Sequence, residues 1–313
     1  MDRELDNIDF HVPVLLEEVM NFLQVKDHQI YFDGTFGAGG YSKKILSLAN
    51  CKVIAVDQDD SVLKHVESLQ RKFFDRLIFS QSRFSKIKEV IANYQVDQLD
   101  GVVLDIGVSS MQLDDFNRGF SFDSNQKLDM RMNKNQELSA FEIVNNFSEV
   151  DLADIIFQFG DEPKARKIAK KIINQRAKKM ITSCCELADI VRSLYVGHYK
   201  TDPATRTFQA IRIAVNNELE ELTLALNNAL DCLKSGGRMV IVSFHSLEDK
   251  IVKDFFRTKA GLNNTISRYD PFVVNNISPQ IKLQTKSAIV PDEDEVKKNP
   301  RARSAKLRAI VKL

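Results

Sequence analysis

Four glycines lie within seven residues in the stretch IYFDGTFGAGGYS, residues 30–42. An apolar run and the carboxylate of Asp33 come directly before them, as expected where a buried strand ends and a loop begins. Because glycine has no Cβ, the backbone N–H groups of such a loop can lie against a ligand. A tight turn without a ligand is the alternative for these glycines taken alone.

Three further side chains stand at the ends of apolar runs. Asp57 ends KVIAVD, at about the 20-residue distance at which a carboxylate of α/β folds binds ribose hydroxyls. Phe84 follows the third run, where its ring could stack on a purine, and Asp105 ends the fourth run. Ligands of open α/β sheets bind outside the carboxyl ends of the strands. These positions therefore favour a site for an adenosine-bearing cofactor over the alternative, in which the carboxylates only cap helices and the glycines only form a turn.

The spacing of the glycines separates the candidate cofactors. It matches neither G-x-G-x-x-G nor G-x-x-x-x-G-K-[ST], which disfavours a dinucleotide fingerprint and a P-loop. A carboxylate at the entrance of the loop would repel a diphosphate but suits the ammonium and sulfonium groups of S-adenosylmethionine. We therefore expect S-adenosylmethionine. A nicotinamide-dependent oxidoreductase and a non-catalytic RNA-binding protein remain as alternatives.

The elements that position these residues alternate between apolar runs and amphipathic helical segments, which is typical of a parallel sheet with helices on both faces. Strands are expected at residues 30–33, 52–57, 76–80, 101–107, 238–244 and 305–313. Between about 113 and 207 the pattern is helical, and one long helix then leads back to the sheet. We predict an α/β fold in which residues 1–112 and 208–313 form a doubly wound sheet and residues 113–207 form an inserted all-helical domain.

The composition limits the function only weakly. Lys plus Arg number 44 and Asp plus Glu 43, so bulk charge neither requires nor excludes a nucleic-acid partner. The four cysteines form no C-x-x-C pair, and no metal site is expected. No apolar run reaches the ~20 residues of a membrane span, and the acidic N-terminus is unlike a signal peptide. We expect a cytoplasmic protein without a membrane partner; monomer and homodimer both remain open.

One segment is strongly basic, KARKIAKKIINQRAKK at residues 164–179, with eight Lys or Arg in sixteen residues. Its apolar residues share one helical face, so the charges point outward. A solvated helix face is the ordinary explanation of a charge run. In a chain whose charge is otherwise balanced, we favour contact with RNA phosphates through Lys167, Lys170, Lys171 and Lys178.

Several longer motifs resemble a known family. They are HVPVLLEEV, DGTFGAGGYS, DGVVLDIGVSSMQLDD, RGFSF, LDMRM, PATRTFQAIRI, VNNELEEL, VSFHSLEDKIVK and NPRARSAKLRAI. From about His11 to the C-terminus, the chain is similar to the bacterial 16S ribosomal RNA cytosine-N4 methyltransferases of the MraW type. The resemblance implies a Rossmann-like class I methyltransferase sheet with a helical insertion. It also implies methyl transfer from S-adenosylmethionine to N4 of one cytidine in the decoding region, within the small ribosomal subunit or its assembly intermediate.

The resemblance also implies site residues. Together with Gly37, the cofactor contacts carried over by position are Gly39, Gly40, Tyr41, Asp57, Phe84, Asp105 and Gln112. Tyr41 stands where many members of the family have His, and Met111 where Pro is common.

The chemistry of the implied reaction suggests the remaining candidates. The cytosine amine is a poor nucleophile because its lone pair is delocalised into the ring, and an acceptor beside its N–H groups would help it. Asp105 is the candidate acceptor, with a cofactor contact or a structural cap as alternatives. His245, in SFHSLED, is a second candidate for proton transfer or for orienting the base, or else a buried hydrogen-bonded histidine. From PATRTFQ, Arg206, Thr207 and Gln209 are expected at the mouth of the cleft, with a local ion pair as the alternative for Arg206.

Overall fold

The chain divides into two compact units. The computed structural model describes residues 13–122, 125–262 and 278–313. One unit, called the sheet unit below, comprises residues 1–107 and 219–313; the other, the helical unit, comprises residues 108–218. The acidic N-terminus and His11 lie outside the described residues.

The sheet unit is built around one seven-stranded sheet in the described part of the chain. Its strands are β1 (Ile30–Asp33), β2 (Lys52–Asp57), β3 (Leu77–Gln81), β4 (Leu99–Asp105), β5 (Leu233–Ser243), β6 (Ile281–Leu283) and β7 (Lys306–Lys312), in the order β3-β2-β1-β4-β5-β7-β6. The first five run parallel, and β7 is antiparallel to both of its neighbours. The strand order reverses between β1 and β4, and such a switch point is where open α/β sheets bind ligands.

Helices cover this sheet and close its core. They are α1 (Leu16–Leu23), α2 (Gly40–Leu48), α3 (Leu63–Phe73), α4 (Ile87–Asn93), α11 (Glu218–Cys232, of which residues from Leu219 onward belong to this unit), α12 (Ser246–Lys259) and α13 (Glu293–Lys298). The apolar stretch from Val53 to Val56 of β2 is completely buried. Burial on both faces explains why the inner strands are continuous apolar runs rather than alternating patterns.

The helical unit has a core of its own. Its helices are α5 (Ser110–Asp114), α6 (Ala140–Asn146), α7 (Glu149–Gly160), α8 (Ala165–Arg176), α9 (Cys184–Arg192) and α10 (Ala204–Asn216). Ser139 and Ser183 begin α6 and α9 with reciprocal capping boxes, which satisfy N–H groups that a helix start leaves unpaired. No strand of the sheet comes from the described residues of this unit, and the predicted α/β fold with helical insertion is confirmed.

The strand predictions differ from the structure mainly in length. The runs 30–33 and 52–57 are strands with those bounds. β5 begins at Leu233, five residues before the predicted start, because its pairing with β4 continues past an irregularity between Leu99 and Gly101. The three-residue strand β6 was not predicted, since three residues carry too little of a periodic signal.

The predicted boundary between residues 207 and 208 falls inside α10. The long helix expected there is two helices, separated by Asn217 in the left-handed conformation at φ 53°. The preceding Asn216 accepts from the N–H of Met132 and donates to the carbonyl of Met130, both at 2.8 Å. These buried bonds hold the end of α10 within the helical unit, which therefore extends to Glu218.

Among the described residues, no helix is both long and apolar enough to cross a bilayer.

Helices α7 and α10 approach each other closely at Gly160. A Cβ added to this glycine would lie 2.6 Å from the carbonyl oxygen of Arg206 and 3.2 Å from the Cβ of Ala210. We predict that Gly160→Ala lowers the free energy of unfolding by about 1–2 kcal/mol, because overpacking against a backbone atom forces the helices apart. Urea denaturation followed by circular dichroism measures the change.

Whether Gly160→Ala lowers or raises the free energy of unfolding distinguishes an effect of packing from an effect of helix propensity. Alanine is a better helix former than glycine by about 1 kcal/mol, so a variant limited by propensity alone would be more stable. Gln158→Ala, at an exposed position of the same helix, is the control and should change stability by less than about 0.5 kcal/mol. A stabilised Gly160→Ala protein would contradict close packing at this point.

Candidate functional site

Three carboxylates stand at the carboxyl ends of adjacent strands of the sheet unit. Asp33 ends β1, Asp57 ends β2 and Asp105 ends β4. Asp33 is completely buried. It accepts from the hydroxyl of Ser42 at 2.6 Å and from the N–H of Thr35 at 3.3 Å, so it ties both sides of the glycine loop to the strand. Burial raises the pKa of this carboxyl to about 6.

The glycine loop needs its glycines for its own backbone as well as for any ligand. Gly37 and Gly39 have φ angles of +53° and +79°, which residues with a Cβ adopt only with strain. A Cβ at Gly39 would also lie 2.3 Å from Leu69 and 2.7 Å from the ring of Phe36. Gly40 begins α2. The loop conformation is therefore specified by the protein itself and leaves backbone groups without side chains beside them.

Asp57 supports this loop from the neighbouring strand. Its carboxylate accepts from the N–H of Gly37 and from the N–H of Asp59, both at 2.9 Å. Burial is the main cause that raises its pKa to about 6. Each carboxylate oxygen has a second lone pair, so Asp57 can still accept from the hydroxyls of a ribose.

Asp105 is the least satisfied of the three. Its Oδ1 is buried and has no hydrogen-bond partner within the described residues. Burial, with smaller contributions from the negative charges of Asp33 and Glu248, raises its pKa to about 8. Its backbone N–H donates to the hydroxyl of Thr35 at 2.7 Å, which joins β4 to the glycine loop. An unsatisfied buried oxygen on a carboxyl with a raised pKa is compatible with a neighbouring ligand cation or with proton transfer.

The two aromatic candidates of the sheet unit differ in exposure. Phe84 is half-buried just after β3, and its Cβ lies 3.0 Å from the point where Gly34 would carry one. It therefore lies beside Gly34, which directly follows β1. Tyr41 is only 3% exposed, and its hydroxyl donates to the carbonyl of Val14. This ring packs the glycine loop against the segment before α1.

His245 is part of a helix cap. Its Nδ1 accepts from the N–H of Glu248 at 3.4 Å, and its Nε2 lies 2.9 Å from Glu248 Oε1, without the angle of a hydrogen bond. The carboxylate of Glu248 in turn accepts from the N–H groups of Phe244 and His245. Because both ring nitrogens face Glu248, the geometry fits the alternative of a held histidine better than a free general base.

The candidates of the helical unit mostly make internal contacts. Gln112 closes the capping box that begins α5: its side chain accepts from the N–H of Ser109. Arg206 donates to the carbonyl of Asp161 at 2.9 Å, and Gln209 donates to that of Phe159 at 3.2 Å. Both bonds join α10 to the end of α7, and the contact of Arg206 is with a backbone carbonyl rather than the local carboxylate considered as its alternative.

Thr207 is completely buried, and in the described part of the chain its hydroxyl oxygen finds no hydrogen-bond partner. With no exposed surface, this side chain does not lie at the mouth of an open cleft, where the sequence placed it.

The basic segment at α8 separates into two groups of cations. Lys171 donates to the hydroxyl of Ser193, Arg176 donates to two backbone carbonyls, and Lys179 pairs with Glu186 at 3.1 Å. Arg166, Lys167, Lys170 and Lys178 form the second group; they are exposed and make no such contact among the described residues. Arg166 was missed as a candidate, although it lies four residues before Lys170 and therefore on the same helical face.

Comparison with known proteins identifies the family. Residues 9–313 match the profile of the MraW methylase family. The ribosomal RNA small subunit methyltransferase H of Ehrlichia canis (strain Jake) is 48% identical over 305 residues, covering 97% of this chain and 100% of that protein. Proteins of the same name from Anaplasma marginale (strain St. Maries) and Maricaulis maris (strain MCS10) are each 46% identical, covering 97% and 96% of this chain and 99% and 91% of those proteins. The resemblance seen in the sequence motifs is thereby confirmed: the chain belongs to the MraW methylase family.

Proposed function

We propose that this chain methylates the exocyclic N4 of a specific cytidine in the decoding region of 16S ribosomal RNA. Membership of a methylase family makes it a methyltransferase, with S-adenosylmethionine as the methyl donor. The names of its relatives support ribosomal RNA of the small subunit as the substrate, in the subunit or its assembly intermediate. Such a substrate also implies the cytoplasm.

The strand-end carboxylates fit a cationic cofactor. Burial raises the pKa values of Asp33, Asp57 and Asp105, so a positive charge beside them would favour their ionised forms. Asp57 would hold the ribose hydroxyls, Phe84 would cover the adenine, and the N–H groups of the glycine loop would approach the ligand directly. Gly40, Tyr41 and Gln112 enter this site on the resemblance to the family alone. When bound, S-adenosylmethionine supplies an electrophilic methyl group.

The observation that carries the N4 assignment is the unpartnered oxygen of Asp105. Methylation of an amine adds a carbon to nitrogen and releases one proton, so an acceptor beside the N–H groups assists the reaction. We assign that role to Asp105, which is ionised once a cation lowers its raised pKa. His245 would act as a positioning residue, since Glu248 holds its ring. The target base would be turned out of the RNA to reach these groups.

The exposed cations of α8 would hold the RNA backbone. Phosphate contacts supply most of the sequence-independent affinity of nucleic-acid-binding proteins and make it depend on salt. Arg166, Lys167, Lys170 and Lys178 are the candidates, since their charges face outward. Lys171 would have to break its hydrogen bond to Ser193 before it could contact a phosphate.

Asp57→Asn tests the cofactor site. We predict that it weakens binding of S-adenosylmethionine by about ten- to a hundredfold, since losing hydrogen bonds to a charged group costs about 1.5–3 kcal/mol. Isothermal titration calorimetry measures the affinity. Asp75→Asn makes the same chemical change at an exposed position and should leave affinity unchanged. If the variant has the wild-type melting temperature and binds S-adenosylmethionine with wild-type affinity, Asp57 is not part of the cofactor site.

Asp105→Asn tests the proton acceptor. We predict that single-turnover methyl transfer to small-subunit particles falls at least about a hundredfold, the lower range of general base catalysis, whereas cofactor affinity falls less than tenfold. In the wild type the rate should fall as the pH drops through the pKa of Asp105, which a bound cation holds below about 8. The variant should lack that dependence.

Two comparisons decide this prediction. Asp97→Asn, in the exposed segment before β4, is the control and should transfer methyl groups normally. If transfer and cofactor affinity fall together in Asp105→Asn, this residue is a cofactor ligand only. Nuclease digestion and mass spectrometry of the wild-type product should find N4-methylcytidine; a methyl group on carbon or on a ribose oxygen would refute the amine reaction.

Lys167→Gln with Lys170→Gln tests the RNA contact. We predict weaker binding of small-subunit rRNA and a log–log salt slope reduced by about 1.4, which is 0.7 for each lost contact with single-stranded phosphate. Filter binding at several salt concentrations gives the slope. Lys52→Gln with Lys64→Gln removes the same charge from exposed positions of the sheet unit and should leave the salt slope unchanged. An unchanged slope in the α8 variant would leave these lysines as a solvated face.

A further inference from the structure

Two tyrosines form an exposed aromatic pair between α9 and α10. Tyr195 and Tyr199 pack edge to face, with ring centroids 5.4 Å apart and planes at 89°. Tyr199 is 49% exposed, and its hydroxyl donates to the carbonyl of Val196 at 3.0 Å. The second ring is therefore held against its own loop while about half of it remains open to solvent.

Tyr195 is a rigid support for this exposed ring. Its hydroxyl donates to the carboxylate of Glu162, which is only 1% exposed. The ammonium of Lys164 lies 3.7 Å from the centroid of the Tyr195 ring and also donates to the carbonyl of Leu194 at 2.8 Å. Because these contacts already fix the pair, little side-chain freedom remains to be lost when a ligand binds.

The charged groups around the pair are one carboxylate, Glu162, which the Tyr195 hydroxyl binds, and several cations. Besides Lys164, Lys200 follows Tyr199 directly, and Arg166 and Lys167 are exposed in the first turn of α8. The nearest carboxylate along the chain, Asp202, is bound by the guanidinium of Arg192 at 2.7 Å. Exposed aromatic rings beside cations are the combination with which proteins bind single-stranded nucleic acid.

We propose that Tyr199, supported by Tyr195, is a stacking platform for an unpaired base of the RNA, whose adjacent phosphates contact Lys200 and the first turn of α8. The inference rests on the proposed RNA substrate and adds a second contact, separate from the target cytidine. An unpaired nucleotide is required because the faces of bases within a duplex are covered by their neighbours, whereas bases of loops and single strands can stack on aromatic rings.

Phe157 provides a matched comparison within the helical unit. It is 59% exposed on α7, but exposed Asp154 lies three residues before it on the same helical face, and exposed Asp161 ends the helix four residues after it. These carboxylates would repel phosphates. A ring of similar exposure that has carboxylates for neighbours should therefore bind RNA less well.

The absence of tryptophan from the sequence allows a direct test. Tyr199→Trp retains an aromatic face and introduces a single fluorophore. We expect its emission to be quenched on titration with an unstructured single-stranded RNA of roughly 12 nucleotides, within the usual range of site sizes, and not with a duplex of the same length. Phe157→Trp should be quenched by neither. An unquenched Tyr199→Trp protein would overturn the platform.

Affinity and its salt dependence give a second, independent readout. Tyr199→Ala should weaken binding of the single strand by about 5- to 150-fold, the effect of losing one stacked base, with an unchanged salt slope. Tyr199→Phe keeps the ring and should bind like the wild type. Full affinity of Tyr199→Ala, or a slope lowered by about 0.7, would contradict stacking. So would a loss seen with assembled particles but not with protein-free rRNA, which would indicate contact with a ribosomal protein.

Methyl transfer distinguishes failure of this inference from failure of the proposed function. If the wild type methylates small-subunit rRNA and Tyr199→Ala does so with the same KM for RNA, the platform is wrong and the function stands. If the wild type transfers no methyl group while Tyr199→Trp is still quenched, the function is wrong and the platform stands as an RNA contact.

Discussion

The rest of the site depends on three carboxylates at the ends of adjacent strands, of which Asp33 is completely buried and Asp57 and Asp105 are half-buried. A buried carboxylate is costly unless it is hydrogen-bonded or paired with a cation, and proteins otherwise respond by raising its pKa. Asp33 and Asp57 are stabilised by hydrogen bonds from the glycine loop and its neighbours, and their pKa values rise to about 6. Within the described ranges Asp105 receives no such bond at Oδ1, and its pKa rises further, to about 8.

This arrangement couples stability to the ligand. A carboxyl whose pKa is raised on folding binds its proton more tightly in the native state than in the unfolded state. Its contribution to the free energy of unfolding is therefore largest below about pH 4 and is lost as the pH rises through the native pKa. For Asp105 that loss extends to about pH 8. A cationic ligand reverses the balance, because it stabilises the ionised form that burial penalises. At neutral pH the free protein therefore holds Asp105 mostly protonated and carries the charges of Asp33 and Asp57. Binding of a sulfonium and an ammonium would offset these charges and favour ionisation of Asp105.

The sequence predicted those parts of the site that depend on the order of residues within one short segment. Continuous apolar runs indicated the inner strands, and Asp33, Asp57 and Asp105 followed because a carboxylate directly after such a run must stand at the edge of the sheet. It was not sufficient where a side chain finds its partner through tertiary structure. Helical spacing showed that Lys171 faces outward, but not that Ser193, 22 residues later, would accept from it. The burial of Thr207 has the same origin, since α10 packs on more than one side.

The charges of the two units act over different ranges. Buried carboxylates of the sheet unit are weakly screened by salt, whereas the exposed cations of α8 interact with phosphates in water, where screening acts within about 10 Å at 0.1 M salt. A net charge of +1 therefore conceals two opposite local preferences, one for a cation and one for a polyanion. Because only the second is strongly salt-dependent, ionic strength can control RNA binding while cofactor binding stays nearly constant. The nearly equal numbers of acidic and basic residues are thus compatible with a carboxylate-rich site in one unit and a basic helix in the other. Stacking of a base on Tyr199 would add affinity for RNA that does not depend on salt.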